Sequence, residues 1–382
     1  MQENLLLTPG PTPIPGRVNQ RMAGGMIGHR SGAFKKLMES VQGRIKPLFG
    51  TDQNVAVLSS SGTSSLETAM VNLVKDSEDI VIISSGAFGE RFKSIAKTYP
   101  FNVHVFEVPW GEAADVESFK SFLNGIENVK VVFSQACETS TAVVHPLQAL
   151  GDIVKDYHSS TLFVVDGVSI VGGMKFDMQS SKIDALITGS QKALMLPPGL
   201  AFVAMNDAAR LKAKENPLSR FYLDINKYFD ALEDGSTPFT PAVSLIQGLD
   251  EVLEMFEAEG YEKVYARHVL MRDMLRAGLK ALDLELLVED QYASPTVTAF
   301  KSSTEELSTI KTSLENNYNI TIAGGQKHLK GKILRIGHMG YMFPNDMLTV
   351  LAALEHIITK SRGKNYNGKA LSAAQEVYYN EL

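Results

Sequence analysis

From about residue 54 to residue 205, short β-branched runs alternate with stretches of helical periodicity. The runs are Val55–Leu58, Ile80–Ser84, Val103–Glu107, Val129–Ser134, Thr161–Asp166, Ala185–Thr188 and Leu200–Met205. They are apolar throughout rather than alternating, the pattern of strands buried on both faces. The clearest helix is Ser64–Val74, with Leu66, Ala69, Met70, Leu73 and Val74 on one side, and Ser64 with Glu67 reads as a capping box at its start. Repeated β-then-α order predicts an α/β fold with a mostly parallel, seven-stranded sheet covered by helices.

After Asp207 the pattern changes. Residues 242–281 read as long helices, followed by short strands near 283–288, 296–300 and 331–336 and a final helix near 345–361. The first 35 residues, with Pro9-Gly10-Pro11 and Pro15-Gly16, read as an irregular arm. The expected organisation is an arm (1–35), a large domain (36–250) and a smaller C-terminal α+β domain (251–382).

Composition narrows the function. Net charge is −6, from 37 Lys+Arg against 43 Asp+Glu, which gives no electrostatic reason to expect nucleic acid or an anionic membrane. No apolar run approaches the ~18 residues that span a bilayer. Met1-Gln2-Glu3-Asn4 lacks a signal-peptide pattern and Asn380-Glu381-Leu382 is not a peroxisomal address, so a reducing cytoplasm is expected. The single cysteine, Cys137, excludes disulfides and Cys-based metal sites. The histidines show no close metal-ligand spacing and read as surface or satisfied core groups, so no metal is expected. Gly325 through Lys332 resembles a P-loop only superficially, because its spacing is one residue too long and Ile333 follows the lysine.

In an open parallel sheet, ligands bind beyond the carboxyl ends of the strands. Ser61, Gly62 and Thr63 follow the first run and lead into a helix, giving either a phosphate cup or an ordinary capped turn. Phe88 follows the second run between glycines and reads as a stacking ring or as core. Thr139 and Ser140 follow the fourth run, facing the crevice or solvent. Asp166 ends the fifth and reads as a turn former or as the partner of a protonated pyridine nitrogen. Lys192 follows the sixth, an apolar setting that would lower its pKa and favour imine chemistry over a snorkelling surface role. Together these form the parts list for pyridoxal 5'-phosphate: phosphate holder, ring cover, ring-nitrogen partner and imine lysine.

Ser61-Gly62-Thr63, Val165-Asp166-Gly167-Val168-Ser169 and Ser190-Gln191-Lys192-Ala193 resemble the motifs of class V, fold-type I aminotransferases. The resemblance is to the alanine–glyoxylate/serine–pyruvate (serine–glyoxylate) branch. It runs from Thr8-Pro9-Gly10-Pro11 through Gly28-His29-Arg30-Ser31 to Leu334-Arg335-Ile336-Gly337. It implies that Lys192 holds the cofactor as a Schiff base and moves the proton, while Asp166 pairs with the ring nitrogen. Val168 then packs on the ring face opposite Phe88. Ser61, Gly62, Thr63 and Gln191 hold the phosphate, and Thr139 or Ser140 approaches the ring hydroxyl or the substrate. Arg335 binds the substrate carboxylate, with Gly10 nearby. A homodimer with shared sites is implied, Thr240 (or Thr237) reaching the partner's phosphate. The eukaryotic branch differs in having Trp at Phe88 and His at Thr63, and the animal form differs at Arg30.

The implied activity is ping-pong transamination of a small amino acid, alanine or serine, with the keto acids glyoxylate or pyruvate. The alternative is 2-aminoethylphosphonate transamination or another class V chemistry. Cysteine desulfuration needs a reactive cysteine well downstream of the lysine, and Cys137 lies upstream. A non-catalytic or hydrogenase-associated subunit is the rival of a different class, but one cysteine cannot by itself ligate a NiFe centre or an iron–sulfur cluster.

Overall fold

The computed structural model describes residues 4–380, so the readings on Met1–Glu3 and Glu381–Leu382 lie outside the described residues. Strands are numbered along the chain. β1 (Leu5–Leu7) comes first. β2 (Val55–Leu58), β3 (Asp79–Ser84), β4 (Asn102–Glu107) and β5 (Val131–Gln135) follow, then the short hairpin β6 (Cys137–Glu138) and β7 (Val143–Val144). β8 (Leu162–Asp166), β9 (Ala185–Gly189) and β10 (Ala201–Met205) complete the first half. β11 (Glu285–Leu286), β12 (Val297–Lys301), β13 (Ile320–Gly324) and β14 (Ile333–Gly337) lie in the second.

The seven predicted runs form one sheet in the order β2-β10-β9-β8-β5-β3-β4. Only β10 runs against its neighbours. It follows β9 through the short Ser190–Leu200 connection, too short for the helical crossover that a parallel strand needs. The inner strands are fully buried, whereas β4, at the edge, is only half-buried. The carboxyl ends of β2, β3, β5, β8 and β9 therefore open on one side of the sheet.

The second sheet has the order β1-β13-β14-β12-β11 and is packed by helices Thr304–Tyr318, Pro344–Arg362 and Lys369–Asn380. Its apolar side chains form a core separate from that of the large sheet. Helix Tyr261–Ala281 joins the two: Val264 and Tyr265 pack in the first core, Met271 to Leu279 in the second.

Three sequence readings are corrected. The arm is not irregular throughout, because Leu5–Leu7 pairs in parallel with β13 and Gly16–Met22 is helical. A three-residue strand carries no period of its own and exists through its pairing. The Ser64/Glu67 capping box is displaced: the helix is Gly62–Leu73 and its N-cap is Ser61, whose hydroxyl accepts from Ser64 N–H. The helix near 345–361 is not the last, since Lys369–Asn380 folds back on helix Tyr261–Ala281.

Candidate active site

The cup after β2 is built by a helix start. With Ser61 as N-cap, the N–H groups of Gly62 and Thr63 have no acceptor within the helix and carry the positive end of its dipole. A Cβ on Gly62 would lie 3.2 Å from Val168 and 3.8 Å from the Cα of Gly189, and one on Gly189 would lie 3.0 Å from Gln191 Oε1. Gly62, Val168, Gly189 and Gln191 thus meet at the base of the cup. The buried Oε1 of Gln191 has no protein partner. Arg91 donates to Thr63 Oγ1 at 3.4 Å and lies 4.8 Å from the Phe88 ring centroid. It was not singled out from the sequence, although its position one helical turn after Phe88 was a usable signal.

Lys192 follows β9 and Asp166 ends β8, its parallel neighbour. Both are buried, at 8% and 5% exposure. Burial pushes the Lys192 amine down to about 8, helped by the nearby Arg335 charge and opposed by Asp166. Burial pushes the Asp166 carboxyl up to about 7, against a 2.8 Å hydrogen bond from Val168 N–H. Lys192 Nζ donates to the Pro9 carbonyl, and Thr12 Oγ1 donates to the Lys192 carbonyl at 2.9 Å. Gly10, at φ +103°, leaves the space that Lys192 fills: a Cβ there would fall 2.5 Å from Nζ. β1 anchors this segment, so the second sheet delivers the arm onto the lysine.

Arg335, on β14, is 5% exposed. Nε and Nη2 donate to the Gly324 carbonyl at 3.0 and 2.8 Å, and Nη1 donates to the Thr139 carbonyl at 2.9 Å. Among the described residues no carboxylate makes an ion pair with it, and burial lowers its pKa to about 10. Ser140 Oγ accepts from Ala87 N–H at 2.9 Å and donates to Glu138, so its hydroxyl is engaged in the scaffold, leaving Thr139 as the freer of the two. Glu138 itself was passed over in the sequence.

Thr240 is exposed, 3.5 Å from His29 Nε2, while Thr237 is buried and its hydroxyl donates to the Phe239 carbonyl. Arg30 donates to Ser236 Oγ and to the Thr237 carbonyl, tying the arm to this segment. His145 is buried, accepts from Ala114 N–H through Nδ1 and faces Ser85 Oγ with Nε2 at 2.8 Å. Gly325–Lys332 links β13 to β14 rather than a strand to a helix, so it lacks the architecture of a P-loop. Among the described residues no group of His, Cys, Asp and Glu is placed to hold a metal ion.

A crevice of about 1350 Å³ opens at the opposite, amino edge of the large sheet, beside Asp184 and Asn206. It contains none of the residues above, and its Lys155 and Lys175 are paired with Asp184 and Glu262. The residues named from the sequence gather instead at the carboxyl edge.

A helix-start cup, a buried acid and a buried amine of lowered proton affinity on adjacent strand ends fit a phosphorylated, protonated pyridine aldehyde. Fold and site together define a fold-type I pyridoxal phosphate enzyme. The family model described as aminotransferase class-V matches residues 10–342. The chain belongs to that family and is a pyridoxal phosphate-dependent aminotransferase. It is 35% identical to the soluble hydrogenase 42 kDa subunit of Anabaena cylindrica, over 98% of this chain and 99% of that one. It is 30% identical to the L-aspartate–glyoxylate aminotransferase of Paracoccus denitrificans, over 98% and 96%. The crystal structure of pyridoxamine–pyruvate aminotransferase from Mesorhizobium loti superposes with a TM-score of 0.93 at 29% identity, covering 100% of this chain and 98% of that one.

Proposed function

We propose that this enzyme transfers the amino group of a small amino acid, alanine or serine, to glyoxylate or pyruvate in two ping-pong half-reactions. The observation that carries the reading is the convergence of Lys192 and Asp166 on adjacent strand ends, with Arg335 buried nearby and, among the described residues, free of any ion pair. Two relatives whose names include glyoxylate or pyruvate support the choice of acceptor.

Bound pyridoxal phosphate supplies an electron sink for charge at the substrate α-carbon. Ser61, Gly62, Thr63 and Gln191 hold the phosphate, and Phe88 and Val168 cover the two ring faces. Asp166 accepts a hydrogen bond from the ring nitrogen and keeps it protonated. Lys192 anchors the cofactor through Nζ. Its burial lowers its proton affinity, which would suit Nζ to take the substrate α-proton as general base and return it as acid. Arg335 orients the substrate carboxylate beside Gly10, and Thr139 borders the ring hydroxyl or the substrate. Residues 36–250 form the cofactor-binding domain and the chain beyond 250 the smaller one. The enzyme works as a cytoplasmic homodimer in which Thr240, exposed where Thr237 is buried, reaches the partner's phosphate.

The test is a steady-state panel of alanine, serine, aspartate and 2-aminoethylphosphonate against glyoxylate and pyruvate. The reading expects the highest kcat/KM with alanine or serine, and parallel double-reciprocal lines. Preference for the phosphonate or for aspartate would replace the donor assignment, and absence of turnover with every pair would favour the hydrogenase-associated role.

A further inference from the structure

Glu138 lies in β6, directly after the fourth strand of the crevice, and is fully buried. Among the described residues no cation forms an ion pair with it. Both of its oxygens are instead held by two donors each. Oε2 accepts from the backbone N–H groups of Phe88 and Gly89 at 3.0 and 3.1 Å. Oε1 accepts from Ser140 N–H at 3.1 Å and from Ser140 Oγ at 2.5 Å. Phe88 and Gly89 begin helix Ala87–Ala96, whose preceding residue, Gly86, offers no side-chain cap. The carboxylate thus caps a helix that starts about fifty residues upstream, at the end where a negative charge is favoured. The surrounding chain is shaped to admit it: a Cβ on Gly86 would lie 2.4 Å from Glu138 Cδ and 2.5 Å from Ser140 Oγ.

Three of the four donors are backbone N–H groups that cannot turn round, so an amide in place of the carboxyl would face at least one of them with its own N–H and leave it unpaired. We propose that Glu138 is a positioning residue, whose carboxyl group fixes the Phe88 ring and the Ser140 segment in one rigid frame against the bound cofactor. The inference rests on the reading of Phe88 as a ring cover. Through the Ser140 turn the same frame carries Thr139, whose carbonyl holds Arg335. Glu138 is also the anion whose field acts on that guanidinium. One carboxylate therefore links the ring cover to the carboxylate-binding arginine without touching either the cofactor or the substrate.

The experiment compares Glu138→Gln with wild type in two readouts. In cofactor-free protein, hydrogen exchange is expected to quicken at least about tenfold over wild type at the Phe88 and Gly89 amides or at the Ser140 amide, whichever the introduced NH2 faces. In the holoenzyme, visible circular dichroism per bound cofactor is expected to change, and kcat at full occupancy to fall about tenfold or more. Unchanged exchange at all three amides overturns the capping role. Faster exchange with unchanged dichroism and kcat overturns the positioning role, leaving Glu138 a purely structural cap. If E138Q folds poorly, Gly86→Ala displaces the carboxylate sterically with no change of charge. It is expected to give the same pair of shifts, and their absence overturns the proposal. A wrong reading of the cofactor site shows separately, as wild-type protein with no visible band.

Discussion

Lys192 and Asp166 are both buried, and each is moved toward neutrality by burial rather than by a close partner. Arg335 works differently: its fork is held by backbone carbonyls, so its charge remains for a ligand. Arg335→Ala is expected to raise KM for amino and keto acids about 10- to 100-fold, because a hydrogen bond to a charged group contributes ~1.5–3 kcal/mol. Cofactor occupancy, followed by absorbance, should hold, and an unchanged KM would remove Arg335 from the substrate site. Lys192 and Asp166 were legible because strand ends in a parallel sheet are where chemistry collects. Glu138 and Arg91 were not. The partners of Glu138 are the backbone of residues 88 and 89, and nothing local in the chain announces a contact across some fifty residues. His145 was read only as a surface or satisfied core group; its burial and its link to Ser85 needed the fold.

At the scale of elements, the seven strands of the large sheet were readable because burial on both faces writes an uninterrupted apolar run. The Gly62–Leu73 helix was readable in its body and misread at its cap, since the Ser59–Ser65 stretch offers several hydroxyls and only geometry selects Ser61. β1 and β13 were missed, being short segments whose strand character comes from each other and from β14. β1 matters to function, because it leads Pro9 and Gly10 onto Lys192. Leu7 is fully buried in the second core, so Leu7→Ala is expected to lower unfolding free energy by about 2–5 kcal/mol. Denaturant titration measures this, and a loss below about 1 kcal/mol would mean that β1 is not anchored as described.

At the scale of the whole molecule, two cores share helix Tyr261–Ala281, and the candidate site lies where the arm and β14 of one meet the strand ends of the other. Three buried histidines set the acid response. Burial lowers His145 to about 4, and His268 and His338 to about 3. Unfolding frees each to bind a proton near its usual ~6.5, so their contribution is full above that pH and declines as pH falls. Asp166, raised to about 7, has the opposite sign: its contribution is full below the usual carboxylate range and is lost as pH rises through about 7. Glu138 and Asp346, also raised by burial, share the sign of Asp166, so the histidines are best read one by one. Their ring nitrogens are expected to stay unprotonated in the folded, cofactor-free protein at pH 5, read by NMR, and protonation of all three at that pH would contradict their neutral, buried state.

If Lys192 is the amine that holds the cofactor, borohydride treatment of the holoenzyme will trap it there, and mass spectrometry of the modified peptide will show where. A phosphopyridoxyl mass is expected on Lys192, with loss of the visible band and of activity in step. A label on any other lysine, or full activity retained by Lys192→Ala, would contradict it.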